Sequence, residues 1–479
     1  MLWNSVGHFG TMILNFVSNL VLARLLLPSD YGCVGMLHVF IAFSNIFVTA
    51  GFGTALIQKK NPTHVDYTSV FYWSFVVSII FYWILFFSAP AISRFYNMPE
   101  LCAVLRVQSL GLVLQTLVTI QATQMQKQLR FKELSKRSII AALAGTIVAI
   151  IMALCGCGVW SLVVSHLVAV VASVALLWRM SSWRPTLEFS WGSLKELFSF
   201  GGLVALSSFV ETLYGNLLSL ILGKWYSPSD LGYYTQAKKL EQIPTGSLGT
   251  IVGAVSLPVF SSLQDSPKKL LDGVRKSMKS VMYVNVPMMT LLMIIAKPLI
   301  DMLYGVKWEL SAGYFQILCI GGAMYTLNSL NVNVIKALGK GKTFFFTQLI
   351  KRVLALVLIV GSFFLGKAGL INGINGLIWA VTISFYTAAI INMFVNRKLI
   401  GYGFALQIKD VLTYFLVSGS IAALTFFVCR IIPLHQYIVM FIEIFVFMAL
   451  YILASIVLKL DGYNTFKDVL YSKFLHRKR

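Results

Sequence analysis

The stretch LARLLLPSDYG, Leu22 to Gly32, closes one apolar run, and LGKWYSPSDLG, Leu222 to Gly232, closes another two hundred residues later. Each copy carries a cation (Arg24, Lys224), a Pro-Ser-Asp (Pro28 to Asp30, Pro228 to Asp230) and a glycine (Gly32, Gly232) at matching places. Such self-similarity marks two related halves. The number of membrane crossings between the copies therefore fixes how the halves enter the bilayer.

The composition makes the bilayer the solvent. Of 479 residues, 58% are hydrophobic and 12% charged, with a mean hydropathy of +0.80, beyond the range of a water-soluble globular chain. The formal charge of +22 does not point to nucleic acid, because the basic residues cluster in short connections between apolar runs, where they act as topology signals. The six cysteines (33, 102, 155, 157, 319, 429) are scattered through apolar runs, and Cys155-Gly156-Cys157 has neither the second pair nor the histidines of a metal site. They read as membrane-buried packing residues, and no metal or other cofactor is called for. The first apolar run lacks the basic stretch and small-residue cleavage site of a signal peptide, so it reads as a retained helix.

A spanning helix needs about 20 mostly apolar residues. Fourteen runs qualify: 8–27, 35–57, 68–91, 103–123, 138–155, 159–178, 197–222, 240–262, 280–298, 312–334, 344–364, 371–395, 411–431 and 436–458. The expected fold is an all-α, polytopic membrane protein. With a cytoplasmic N-terminus, the even-numbered connections, the C-terminal tail and Lys351-Arg352 early in the eleventh run collect 29 of the 39 lysines and arginines, so both termini are expected inside. The two motifs follow the first and seventh helices. The repeat is then six helices, an even number, and both halves enter the membrane in the same direction. Gly53 with Gly253, Tyr96 with Tyr304 and Lys136-Arg137 with Lys351-Arg352 extend the match. This gives a six-helix lobe at 1–182, a linker at 183–196, a second six-helix lobe at 197–400, and two appended helices with a basic cytoplasmic tail at 401–479. Ser190 to Leu197 in the linker reads as a short interfacial helix, with Ser193 and Glu196 spaced as a capping box.

The LARLLLPSDYG ending, its second copy, the QMQKQLRF-ELSKR connection after the fourth helix and the fourteen-helix count together resemble the polysaccharide-exporting flippases of the MOP superfamily, in its WzxC-like branch. The resemblance covers essentially the whole chain. It implies movement of an undecaprenyl-diphosphate-linked oligosaccharide to the outer leaflet of a bacterial inner membrane, with membrane lipids and other polysaccharide-assembly proteins as partners.

Polar groups inside the helices are where function can reside, because intramembrane polarity is costly. His8, Asn15 and Asn19 fall within about 40° of one another on an ideal helix of about 100° per residue. The fourth helix carries Gln108, Gln115 and Thr119, and the tenth carries Asn328, Asn331 and Asn333. Such amides either hydrogen-bond sugar hydroxyls in a cavity or tie helices to one another. Arg24, Lys224 and Arg106 lie near the outer ends of their helices, placed either to grip a diphosphate or to snorkel to the interface. Asp30 and Asp230, each after a helix-ending proline, are placed to cap the following helix, with a gate as the other reading. Glu211 lacks a basic neighbour one turn away and is the expected coupling carboxyl, or else a neutral core acid. Glu443 lies outside both repeats.

Three classes remain to be separated. A flippase accounts for the cations, the short external loops and the two extra helices. A MATE-type cation-coupled antiporter shares the two-lobed plan but has twelve helices and needs several embedded acids. A membrane glycosyltransferase or polymerase needs a long catalytic loop, which no connection provides, and no phosphate-binding loop for nucleotide is present. The expected mechanism is alternating access, with the charged headgroup kept out of the hydrocarbon.

Overall fold

The computed structural model describes residues 2–431 and 433–463; the basic tail from residue 464 onward, expected in the cytoplasm, lies outside them. The first half runs from α1 (Leu2–Leu25) through the first motif into α2 (Pro28–Thr49), breaks at Gly51 and continues as α3 (Phe52–Gln58). Then come α4 (His64–Tyr96), the interrupted crossing α5 (Glu100–Gln108) and α6 (Leu110–Lys127), α7 (Phe131–Leu154) and α8 (Val159–Met180). The second half repeats the plan: α9 (Trp191–Trp225), α10 (Pro228–Ser262), α11 (Pro267–Ile294) with the short α12 (Ala296–Tyr304), the interrupted pair α13 (Glu309–Gly322) and α14 (Tyr325–Ala337), α15 (Gly341–Lys367) and α16 (Gly373–Ile400). Helices α17 (Phe404–Arg430) and α18 (Gln436–Val457) are appended. Among the described residues, 13 helices are long and apolar enough to cross a membrane, and Phe9–Leu25 is a shorter apolar helix ahead of them. The chain is an all-α, multi-pass membrane protein.

The linker is not a separate helix. Residues 191–196 are the first turns of α9, and the cap is Ser190, whose hydroxyl accepts the Ser193 N–H at 3.2 Å. Glu196 turns instead to Lys59, 3.0 Å away, and Lys59 also meets Asp66 at 3.0 Å. Desolvation works to lower the Lys59 pKa, but hydrogen bonds to Glu196 and Asp66 outweigh it and hold the value above that of an ordinary lysine. Leu194 and Leu197 pack with Ala50, Phe52 and Trp183. That apolar contact ties the start of α9 to the helices before it. Accordingly the described chain divides into compact units at Thr235/Gln236, not within 183–196.

Two further sequence readings change. Lys136-Arg137 lie inside α7 rather than in a connection, because this helix begins several residues earlier than its apolar run, and Lys351-Arg352 lie inside α15. Cys155 and Cys157 are exposed in the turn between α7 and α8, whereas Cys33, Cys319 and Cys429 are buried as expected.

Within the first unit the two motifs meet each other. An ideal Cβ on Gly32 would lie 1.8 Å from the Pro228 carbonyl oxygen, and one on Gly232 would lie 1.9 Å from that of Pro28. The contact is reciprocal, so each motif supplies the proline carbonyl that the other's glycine must accommodate. Only glycine permits a backbone approach this close.

Prolines inside helices create the other recurring constraint. A proline has no N–H to give to the carbonyl four residues earlier, and hydrocarbon offers no water to replace it. Pro90 in α4 frees the Phe86 carbonyl, and Arg106 donates Nε–H to it at 3.2 Å. In the second unit, Pro287 in α11 frees the Tyr283 carbonyl, and the Tyr451 hydroxyl of α18 donates to it at 2.9 Å. An appended helix is thereby fastened to the repeat.

Two outcomes follow for stability. Gly32→Ala and Gly232→Ala should each destabilise the detergent-solubilised protein by about 1–3 kcal/mol through overpacking, whereas Gly361→Ala, whose Cβ meets nothing within 4 Å, should be neutral or stabilising. Thermal unfolding monitored by tryptophan fluorescence reads the difference. Tyr451→Phe should cost about 1–3 kcal/mol by orphaning a buried carbonyl. In a Pro287→Ala background that carbonyl regains a helical donor, and the double-mutant cycle should show most of the Tyr451→Phe cost gone.

Candidate functional site

In the first unit, Asn15 of α1 and Gln115 of α6 are exposed and Asn19 is half-buried. The His8 side chain lies outside the described residues. Exposure in a spanning helix means contact with lipid or with a water-filled path, and an amide is costly in lipid. Arg24, at the end of α1, is also exposed. Lys224, its counterpart in the repeat, is half-buried: its ammonium donates to the Phe95 carbonyl in the last turn of α4 and lies 4.1 Å from the centre of the Phe95 ring. Arg106 lies 4.3 Å over the Phe86 ring, in addition to its bond to the carbonyl freed by Pro90. Two of the three expected cations thus grip α4, through carbonyl and aromatic face together.

The motif aspartates cap. Asp30 accepts the Leu27 N–H at 2.9 Å, and Asp230 accepts both the N–H and the hydroxyl of Ser227 at 3.1 and 2.7 Å, while its own N–H donates back to that hydroxyl. Pro28 and Pro228 occupy the first position of their helices, where a missing N–H costs nothing. Glu211 is exposed on α9, and among the described residues no ion pair reaches it.

The second unit holds the amides that the sequence singled out, as parts of an interhelical ladder. Lys351 donates to Asn392 Oδ1 at 3.2 Å, Asn392 Nδ2 donates to Asn328 Oδ1 at 2.9 Å, and Asn328 Nδ2 donates to the Phe385 carbonyl at 2.9 Å. Below it, Asn396 donates to Asn331, Asn331 to Gln407 at 3.0 Å, and Gln407 to the Tyr402 carbonyl at 2.8 Å. Asn331 has no exposed surface, and Asn333 donates to Ser256 at 2.7 Å. These are the helix-tying geometries of the two readings. The ladder continues into a charged clamp, where Arg275 of α11 grips Asp410 of α17 through two bonds of 2.7 and 2.9 Å and the Tyr402 hydroxyl donates to Asp410 at 3.0 Å.

Several of these partners were not singled out in the sequence. Asn285 and Asn392 are amides within apolar runs, a signal that was present, whereas Asn396 and Gln407 fall outside the runs at 371–395 and 411–431. Glu241 looked like the first turn of a helix beginning at 240, but α10 begins at Pro228 and carries it well inside. Glu443 is buried in α18. Each unit also has an apolar cavity. One of about 550 Å³ is walled by Phe47, Trp73, Phe81 and Phe209 in the first unit, and one of about 690 Å³ by Met293, Trp379 and Phe426, with Gln316 and Asn375, in the second.

Known proteins share this arrangement. The chain is 23% identical over 430 residues to the teichuronic acid biosynthesis protein TuaB of Bacillus subtilis (strain 168), covering 88% of this chain and 87% of that one. It is 23% identical over 401 residues to the lipopolysaccharide biosynthesis protein WzxC of Escherichia coli (strain K12), covering 82% and 78%. Among solved structures, the lipid II flippase MurJ in an inward closed conformation matches 96% of this chain and 99% of its own, with a TM-score of 0.77 at 15% identity, which shows the fold. The family model described as "Polysaccharide biosynthesis protein" matches residues 21–313, more than half of the chain, and the chain belongs to that family.

Proposed function

We propose that the chain is a flippase, not an enzyme, that carries an undecaprenyl-diphosphate-linked oligosaccharide across a bacterial inner membrane by alternating access, for assembly of a surface polysaccharide. The observation that carries this reading is the exposure of neutral amides, Asn15 on the apolar helix α1 and Gln115 on the crossing helix α6, in a chain whose relatives are named for teichuronic acid and lipopolysaccharide biosynthesis. Lipid has no use for an exposed amide, whereas sugar hydroxyls do. The glycan and diphosphate follow this polar path while the polyprenyl tail stays in hydrocarbon, so the charged headgroup avoids the cost of burial. Arg24 is the foremost phosphate contact, with Lys224 beside it in role. Asn19 lines the path, and Asn328 and Asn331 hold the helices of the second unit. The basic connections favour cytoplasmic termini, and other polysaccharide-assembly proteins are the natural partners.

In cells lacking the protein, lipid-linked oligosaccharide should accumulate on the cytoplasmic leaflet and one surface polysaccharide should be lost, with sensitivity to cationic drugs unchanged. Normal surface glycan together with reduced drug efflux would establish an antiporter instead.

The cations can be sorted individually. Arg24→Gln should cut export while protein levels hold, because a charge-assisted bond to phosphate contributes about 1.5–3 kcal/mol. Arg106→Gln should also cut export, but its cause is separable. If Arg106 only repairs the Pro90 break, export should return in the Pro90→Ala, Arg106→Gln double variant. If it contacts phosphate, the loss should persist.

A further inference from the structure

The crossing formed by α13 and α14 is broken between Gly322 and Tyr325, near the middle of its span of Val306–Ala337. Asn285 of α11, with no exposed surface, holds the break: its Nδ2 donates to the carbonyls of Gly322 at 3.2 Å and Ala323 at 2.9 Å. With the amide nitrogen spent on two carbonyls, Oδ1 has to face the other way. Among the described residues, no donor reaches it. A buried acceptor left without a donor costs about 1–3 kcal/mol, so this oxygen is open to a ligand that supplies positive charge or a proton.

A carboxylate lies against the same break. An ideal Cβ on Gly322 would be 2.6 Å from Glu241 Oε1, 3.1 Å from Thr245 Cγ2 and 3.2 Å from the Met289 sulfur. Gly322 is therefore the residue whose missing side chain leaves room for the Glu241 carboxylate. Two cations lie on the same helix, Lys238 one turn back, which acts on the carboxylate electrostatically, and the buried Lys239. The Thr245 hydroxyl one turn ahead donates to the Glu241 carbonyl at 2.9 Å. α11 contributes Asn285 and Met289, and α13 contributes the buried Cys319 thiol. An interrupted membrane helix with a carboxylate against its break, braced by an asparagine whose amide oxygen lacks a donor, has the chemistry of a small-cation site.

We propose that Glu241, Asn285 Oδ1 and the interrupted backbone at 322–325 bind a monovalent cation, either Na⁺ or a proton, and that this site, rather than Glu211, is where an ion gradient acts on the protein. The proposal rests on the transport reading only for what occupancy drives. Cation binding is tested without any lipid-linked substrate.

The probe is the full-length purified protein in detergent, its unfolding temperature followed as NaCl replaces choline chloride at constant ionic strength, and separately as pH is lowered in choline chloride. Binding to the folded state alone raises the unfolding temperature through a stabilisation of RT ln(1 + c/Kd), where c is the ion concentration. The sodium form of the proposal predicts a rise with NaCl that becomes logarithmic above Kd, and the proton form predicts a rise as pH falls with no response to sodium. Glu241→Gln should abolish whichever response the wild type shows, and Glu211→Gln should keep it. A wild type that responds to neither ion, or a Glu241→Gln variant that responds like wild type, overturns the site. Should Glu241→Gln not fold, Glu241→Asp retracts the carboxylate by one methylene and should weaken the apparent affinity about tenfold, or shift the pH midpoint; behaviour identical to wild type overturns the site equally. An intact cation response in a protein that moves no lipid-linked glycan would dismiss the transport reading and leave the site standing.

Discussion

Hydrocarbon supplies no hydrogen bonds, so every backbone carbonyl that a helix fails to satisfy has to be met by a side chain. That requirement explains the most specific contacts in this protein. Pro90 leaves the Phe86 carbonyl for Arg106, and Pro287 leaves the Tyr283 carbonyl for Tyr451. The break after Gly322 leaves two carbonyls for Asn285. In each case a deviation useful for bending or opening a helix is matched by one donor from a neighbouring helix. Bend and contact therefore depend on each other.

The same accounting separates polar groups that hold the bundle from those left for other work. The ladder through Asn328, Asn392, Asn331 and Gln407 satisfies amides by amides. The Arg275–Asp410 pair buries its carboxylate under two bonds and a tyrosine hydroxyl. Breaking such a pair strands a buried charge at a cost of about 3–5 kcal/mol, whereas an exposed pair such as Lys297–Glu309 is screened by solvent and contributes little. Among the described residues, the exposed amides Asn15 and Gln115 and the donorless Asn285 oxygen fall outside these assignments. A transporter needs groups of this kind, since a side chain fully committed to its own bundle has nothing left for a passing ligand.

The motif that organises the chain serves packing and capping at once. Pro28 and Pro228 start helices, Asp30 and Asp230 close their first turns, and Gly32 and Gly232 let each proline carbonyl press against the opposite copy. The aspartates could be read as caps from sequence because capping is local, set by residues three positions apart. The reciprocal glycine contact could not, because it joins residues two hundred positions apart, and the repeat says only that they are alike.

Sequence alone determined the apolar runs and the six-helix repeat. These follow from bilayer thickness and self-similarity, both of which act along the chain, and every apolar run became helical. It also marked Arg24, Lys224, Arg106, Asn15, Gln115, Asn328 and Asn331 as unusual, because polarity within hydrocarbon is visible residue by residue. Tertiary structure alone decided what each one does. Whether an arginine faces a freed carbonyl, an asparagine another asparagine, or a glutamate the gap beside a glycine depends on which helix lies opposite, and that choice is made by packing between segments far apart in the chain. It is why the linker merged into α9, whose apolar start found a partner near Phe52, and why Glu241, unremarkable at an expected helix end, faces the broken crossing from inside α10.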